Sequence, residues 1–345
     1  MAALHMLLSD FARNGQSSVM PHSLRTELGL DALHSRQLDV VIIAKDFARQ
    51  TWNREGIAYQ DWDGLAAAAD PNTSARRVLE SIKPDILITA TSDVDDRTDV
   101  GLWTAARTIG IPSAAFVDHG VCLRERFLDN QGRLVIPDHV FLPDPDVVHQ
   151  MEQVSGRSAQ LVVCGDLHLL RLPARAKAVS AAMVETTRQS WDLQDGDIAV
   201  LFPSEPRREI ADAGRTFHDY EDDTFRMLGD FLARGGRLPG VPLAARHVII
   251  VRPHPKDTPG KYNQLVRASP VPCVIDATPD VVRSILSADI VVGLDSTVML
   301  EAHSLGRPVY GLVQRSLFVD RMGPDFLVDI DPAASSERRV GRMAR

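Results

Sequence analysis

The chain has 345 residues, 44% hydrophobic and 24% charged, with a formal net charge of −8. This is the balance of a globular protein long enough for two domains of ordinary size. The acidic excess argues against a general nucleic-acid binder, and no apolar run approaches the roughly 20 residues needed to cross a bilayer.

The opening stretch MAALHMLLSDFARN has neither the basic flank nor the small-residue cleavage site of a signal peptide. Cys122, Cys164 and Cys273 lack the spacing of a zinc site or a disulfide framework, which fits small core or loop residues in a reducing cytoplasm. Peripheral contact with the inner face of a membrane is left open, and so is the oligomeric state.

In chain order, Leu4–Leu8 reads as a weak first strand and Asn14–Ser18 as a turn, a poor opening for a doubly wound domain. Apolar, β-branched runs then recur at Val40–Ile43, Asp85–Thr89, Ser113–Val117, His139–Leu142 and Leu161–Cys164. A second series follows at Ile198–Phe202, His247–Val251, Pro272–Ile275, Ile290–Val292 and Pro308–Leu312. Segments between them carry helical spacing, as in Val78, Leu79 and Ile82, or Val281, Val282, Ile285 and Leu286. Strands that alternate with helices and are apolar throughout predict parallel sheets covered on both faces.

Two series of about five strands therefore predict an α/β chain of two doubly wound, Rossmann-like domains, over residues 1–170 and 171–335, with a basic tail at 336–345. The boundary is expected near Leu169–Ala181, where Leu170–Arg175 reads as a linker running into a helix. Ligands of such folds sit at the carboxyl ends of strands, so the active site is expected in a cleft between the two facing domains.

Ser287–Val313 reads as a buried strand, a turn at Gly293, a helix opened by Asp295, Ser296 and Thr297, and a second strand. A helix N-terminus facing strand ends favours an anion through its N–H groups and its dipole. Glu301, further along the helix, is placed to reach a ribose hydroxyl or to be a solvated carboxylate. Arg252-Pro253-His254-Pro255-Lys256 follows another strand directly. Two prolines stiffen the backbone around His254, which can donate to a phosphate, while Arg252 and Lys256 add positive charge.

Asp118-His119-Gly120 follows Ser113–Val117. Asp118 or His119 can act as a general base, and Gly120 permits close approach of the backbone. Arg124 and Arg126 can bind an anionic acceptor, or form a solvated charge cluster with Glu125. Pro203–Arg208 offers Ser204 and Arg207 at a phosphate-holding position, and in Gly165–His168 a capping Asp166 is the simpler reading. His218, Asp219, Glu221, Asp222 and Asp223 fit the acidic start of a helix better than a metal site. The glycine-rich dinucleotide, phosphate-loop and nucleophile-elbow motifs are absent from the sequence.

The two-domain plan, the R-P-H-P loop and the strand followed by D-S-T-x-x-x-E resemble GT-B nucleotide-sugar glycosyltransferases. The nearest branches by these motifs are bacterial capsule-type transferases and CDP-glycerol glycerophosphotransferase-like proteins. Ile42–Trp62, with Gly56-Ile57, is similar to the second strand, helix and third strand of GT-B acceptor domains. The resemblance implies transfer of a sugar or polyol phosphate from a nucleotide-activated donor to a glycan or lipid-linked acceptor, without metal or cofactor. It places donor phosphate at His254, diphosphate at Ser296 and Thr297, ribose at Glu301, and the catalytic base at Asp118 or His119. The related UDP-GlcNAc 2-epimerases share the fold, but their arginine- and glutamate-rich stretch ending in R-P-E is missing here. Epimerase or hydrolase chemistry, or a catalytically inactive nucleotide-sugar binder, are the alternatives.

Overall fold

The computed structural model describes residues 39–54, 56–66, 71–92, 94–118, 120, 122–156, 158–206, 221–236, 238, 246–294 and 296–312. Leu4–Leu8, Asn14–Ser18, Arg207, His218, Asp219 and the basic tail lie outside them, as do the site candidates His119 and Asp295. The chain divides into two compact units between Arg171 and Leu172.

In the first unit the elements run β1 (Ile43–Ala44), α1 (Phe47–Arg54), β2 (Gln60–Asp61), α2 (Trp62–Leu65), α3 (Pro71–Ile82), β3 (Leu87–Ala90), α4 (Thr98–Ile109), β4 (Ser113–Phe116), β5 (His139–Leu142), α5 (Pro145–Ser155), β6 (Gln160–Val163) and α6 (Leu167–Ala178). Strands β3 to β6 form one parallel sheet in sequential order, and β1 pairs with β2 separately. The expected series of five strands is therefore a four-stranded sheet plus a short parallel pair. Val40 and Val41, expected inside the first strand, lie outside it and are 40% and 43% exposed.

The strand β4 is buried at every position. Ala115 packs with Trp103, Phe127 and Val140, while α3 and α4 close a second cluster around Val78, Leu79 and Ala106. Trp103 stacks on Phe127 at 5.3 Å and donates its indole N–H to Thr89 Oγ1 at 3.0 Å, so the largest core side chain carries no unmet polar group. Asp144 caps α5 by accepting from Val147 N, with Pro145 at the first helical position.

The stretch read as a linker is helical. Asp166 accepts from the N–H groups of His168 and Leu169, which starts α6, and the helix continues through Pro173. The division between the units falls inside this helix.

The second unit continues with α7 (Ala181–Ser190), β7 (Ile198–Pro203), α8 (Glu221–Ala233), β8 (His247–Arg252), α9 (Asn263–Ala268), β9 (Cys273–Ile275), α10 (Val281–Ser287), β10 (Ile290–Gly293), α11 (Thr297–Ser304) and β11 (Val309–Gly311). All strand pairs are parallel, in the order β11-β10-β7-β8-β9. Ala199, Leu201, Val248 and Ile250 enter one core cluster; Val200, Phe202, Ile249 and Val251 enter the other. This alternation is the doubly wound pattern, with apolar residues needed on both faces of every central strand.

Ile250 is fully buried on β8, where truncation leaves a cavity that close-packed neighbours fill only in part. Ile250→Ala is expected to lower stability by about 2–5 kcal/mol with an unchanged denaturant slope. Urea unfolding followed by tryptophan fluorescence checks this, and a loss below about 1 kcal/mol would contradict the buried assignment.

Candidate functional site

In the second unit, strand order decides which loops meet. The chain moves outward from β7 to β8 and β9, then returns to the other side of β7 with β10 and β11. The carboxyl ends of β10, β7 and β8 are thus neighbours across a topological switch point, where loops diverge to opposite faces and leave room for a ligand. Ser296 follows β10, Ser204 follows β7, and His254 follows β8.

After β10 the backbone enters α11 at once. Ser296 is 8% exposed and caps the helix, its Oγ accepting from Val298 N at 3.4 Å. Thr297 is exposed at the first helical position, and Glu301, on the next turn, is 5% exposed. The alternative of a solvated carboxylate for Glu301 is therefore corrected: this carboxylate lies in the fold. Gly293 serves close approach, since a Cβ there would lie 2.9 Å from Met299 Sδ and 3.2 Å from Pro203 Cγ.

The loop after β8 is a closed turn. Asp257 N donates to His254 O at 2.9 Å, and His254 N donates back to Asp257 Oδ2 at 2.8 Å. Lys256 N donates to His254 Nδ1 at 3.1 Å. Lys256 itself is exposed, while His254 is half-buried.

Beneath this turn lies a buried polar network. Asp257 Oδ1 pairs with Lys261 Nζ at 2.8 Å, and Lys261 also pairs with Glu221 at the start of α8. Ser204 Oγ donates to Asp257 Oδ2, and Tyr262 Oη donates to Ser204 Oγ at 2.7 Å. Glu221 is fully buried, Tyr262 is 1% exposed, and the Lys261 ammonium lies 5.6 Å from the Tyr262 ring centre. Burial pushes the Tyr262 phenol well above its ordinary value, so it is a neutral donor to Ser204.

Ser204, a donor-site candidate, is thus 2% exposed with its hydroxyl engaged on both sides. Glu221 and Asp222 begin α8 as an acidic first turn, but both are buried rather than solvated.

Arg252 also faces inward. Its guanidinium donates to Asp276 Oδ2 at 2.6 Å, Thr278 O at 2.9 Å and Ser284 Oγ at 2.9 Å. Asp276 further accepts from Trp191 Nε1 at 3.2 Å. Burial raises the Asp276 pKa, but hydrogen bonds from Ser284 and Thr278 with the charge of Arg252 outweigh it and hold the carboxyl below its ordinary value. Arg252 therefore ties β8 to β9 and α10.

In the first unit the same sheet edge carries Asp118, which is exposed, and Arg126, which is buried. Arg126 Nη1 pairs with Asp118 Oδ1 at 2.5 Å and donates to Thr91 Oγ1 at 3.1 Å. Of the expected charge cluster, Arg124 and Glu125 are exposed and Arg126 is not. Gly120 packs against α5, where a Cβ would meet Gln150 Oε1 at 2.5 Å.

A second polar group on this edge was not visible in the sequence. Asp96 accepts from Lys45 Nζ at 3.2 Å, Thr98 N at 2.9 Å and Thr98 Oγ1 at 2.6 Å. Ser92 Oγ donates to Asp99 Oδ2 at 2.6 Å. Burial pushes the Asp99 carboxyl up to about 6, against the Ser92 hydrogen bond, with Asp96 adding to the rise. No group of three or more His, Cys, Asp or Glu residues suited to a metal ion occurs among the described residues, and no helix among them is long and apolar enough to cross a membrane.

Sequence reasoning missed Asp257, Lys261, Asp276 and Asp99 and read Glu221 only as part of an acidic helix start, since charged residues in loops and helix starts read by default as solvated. The available signal was the spacing of Asp257 after His254, which suits a closed turn.

Two outcomes follow. Lys261→Met leaves Glu221 and Asp257 buried without their cation and is expected to cost about 3–5 kcal/mol in denaturant unfolding. Asp99 holds a proton in the folded chain between the ordinary carboxylate value and about 6, where the unfolded chain has released it, so its contribution falls as pH rises through that window. Asp99→Asn is accordingly expected to gain stability over the parent above pH 6 and to lose that gain at the acid end, read from melting temperatures across pH.

The sequence matches no protein-family model and no curated protein. Solved structures do match. UDP-GlcNAc 2-epimerase from Neisseria meningitidis bound to UDP-GlcNAc aligns with a TM-score of 0.59 at 16% identity, over 88% of this chain and 82% of that one. The UDP-GlcNAc 2-epimerase of Methanocaldococcus jannaschii aligns at 0.58 and 15% identity, over 90% and 86%. MnaA of S. aureus with UDP aligns at 0.55 and 13% identity, over 86% and 76%. At such identity the likeness establishes architecture: the chain has the α/β fold of these proteins, two Rossmann-like units of the GT-B kind.

Proposed function

We propose that the chain is an enzyme acting on a nucleoside-diphosphate sugar, with the diphosphate held at the carboxyl edge of the second unit. The observation that carries this reading is the meeting of β10, β7 and β8 at one switch point. That edge presents the capped N-terminus of α11, the His254 turn and buried Glu301 from adjacent strand ends. Ser296 and Thr297 offer hydroxyl groups beside the helix N-terminus, and its dipole favours the diphosphate. His254 supplies a hydrogen bond and Lys256 a charge. Glu301 is the acceptor assigned to the ribose. Arg252 and Ser204 support the loops instead of meeting the ligand.

Epimerase-type chemistry is the preferred branch, because the three aligned proteins named above are 2-epimerases or carry UDP and the alignments span most of both chains. Departure of the nucleoside diphosphate from C1 is assisted by the α11 dipole, the His254 hydrogen bond and the Lys256 charge, without a metal in this reading. Asp118, with its Arg126 partner, or His119 is the proposed proton-transfer group. The second reading, transfer of a sugar or polyol phosphate to a glycan or lipid-linked hydroxyl, is favoured by the missing R-P-E stretch. It uses the same nucleotide site.

Calorimetric titration with UDP, CDP and GDP tests the nucleotide site, and absence of heat with all three would sink it. His254→Ala is expected to weaken binding about tenfold, the scale of one charge-assisted hydrogen bond. Proton NMR of UDP-GlcNAc turnover in heavy water separates the branches. Inversion at C2 through loss and return of its hydrogen leaves deuterium there; transfer or hydrolysis releases UDP with the C2 hydrogen intact.

A further inference from the structure

The backbone of the 253–257 turn has no N–H group left for a ligand. Pro253 and Pro255 have none, and the other three donors are engaged inside the turn. His254 N goes to the Asp257 carboxylate, Lys256 N to the His254 ring and Asp257 N to His254 O. This turn is therefore not a nest of backbone amides around a phosphate. Its recognition rests on side chains, and on His254 above all.

We propose that Asp257 is a positioning residue that holds His254 as a neutral ring with its hydrogen on Nε2. The inference rests on the reading of this edge as a diphosphate site and names what sets its histidine. Nδ1 must lack a proton to accept from Lys256 N, which in the neutral ring leaves the hydrogen on Nε2. That geometry exists because Asp257 closes the turn from both ends. Its Oδ2 takes His254 N, and its own N–H takes His254 O.

Asp257 is itself fixed from below. Its side chain is 2% exposed, Lys261 neutralises Oδ1, and Ser204 donates to Oδ2 while being held by Tyr262. Glu221 takes the other side of the Lys261 ammonium, so the ammonium cannot follow a displaced Asp257 without breaking a buried pair. The carboxylate that orients the histidine backbone is thus anchored to α8 and to the end of β7.

The test uses the full chain labelled with 15N-histidine. Two-bond proton–nitrogen spectra above neutral pH report the His254 tautomer without any ligand, the signal being assigned by its loss in His254→Ala. The parent is expected to show the hydrogen on Nε2, and Asp257→Asn a mixture of tautomers. A parent ring protonated on Nδ1, or an unchanged ring in Asp257→Asn, overturns the proposal. A merely structural Asp257 would lower the melting temperature and leave the tautomer alone.

UDP calorimetry supplies the second arm. Asp257→Asn is expected to weaken UDP roughly tenfold, and Asp257→Asn with His254→Ala to be no weaker than His254→Ala alone. Additive losses overturn the coupling. If the parent takes no UDP, the nucleotide reading falls and the tautomer arm alone decides the role of Asp257. If Asp257→Asn does not fold, Ser204→Ala replaces it, removing one donor to the same oxygen and keeping the Lys261 pair. A shift toward the Nδ1–H tautomer supports the proposal, and an unchanged ring overturns it.

Discussion

Parallel pairing on both sides of β7 is the constraint on which the second unit depends. A strand with neighbours on both edges and helices on both faces has to be apolar at every position, and Ala199, Val200, Leu201 and Phe202 meet that demand at zero exposure. No polar function can then sit within the strand. Chemistry is displaced to its carboxyl end, where the chain has to leave the sheet. Because β8 and β10 flank β7 directly, three loops far apart in sequence are brought to one edge.

Those loops need rigid support, and the molecule supplies it with buried charge. On one side Arg252 and Asp276 join β8, β9 and α10; on the other Asp257, Lys261 and Glu221 join the His254 turn to α8. Burying ions is costly, and such pairs add little net stability compared with an apolar core. Their effect here is geometric: Asp276 and Asp257 are each held by several donors of fixed direction, which leaves the turn between them one arrangement. The same logic operates in the first unit, where Arg126 is buried below the exposed Asp118 and Asp96 gathers Lys45 and Thr98. A carboxylate surrounded by donors stays ionised, whereas Asp99, with Ser92 as its donor and Asp96 nearby, keeps its proton to about pH 6.

Much of the fold could be read directly. Runs such as Val140–Leu142 and Ile198–Phe202 are apolar throughout, a pattern that suits a central parallel strand, and they lie where strands occur. The capping serine of α11 was equally legible, because Ser296 sits between a strand and a helical run. Less legible were the elements with weak local preference. Val40–Ile43 looks like a strand by composition, yet its first residues are exposed and the pairing begins at Ile43. Leu170–Arg175 contains a proline and two arginines, and still forms helix because Asp166 caps its start.

By itself, then, the amino-acid order determined that this protein is α/β with parallel sheets, and that polar, proline-stiffened loops follow its strands. Both are local properties, carried by apolar runs and by residues with fixed backbone preferences. Only the tertiary structure decided which charged residues face inward. Glu301 entered the fold; Arg252 and Ser204 became supports, and Asp257 and Lys261 became a buried pair, because a charge can be buried where partners arrive to satisfy it. Asp276 for Arg252, Asp257 for Ser204 and Glu221 for Lys261 lie tens of residues away, and the strand order that delivers such partners is a property of the whole sheet.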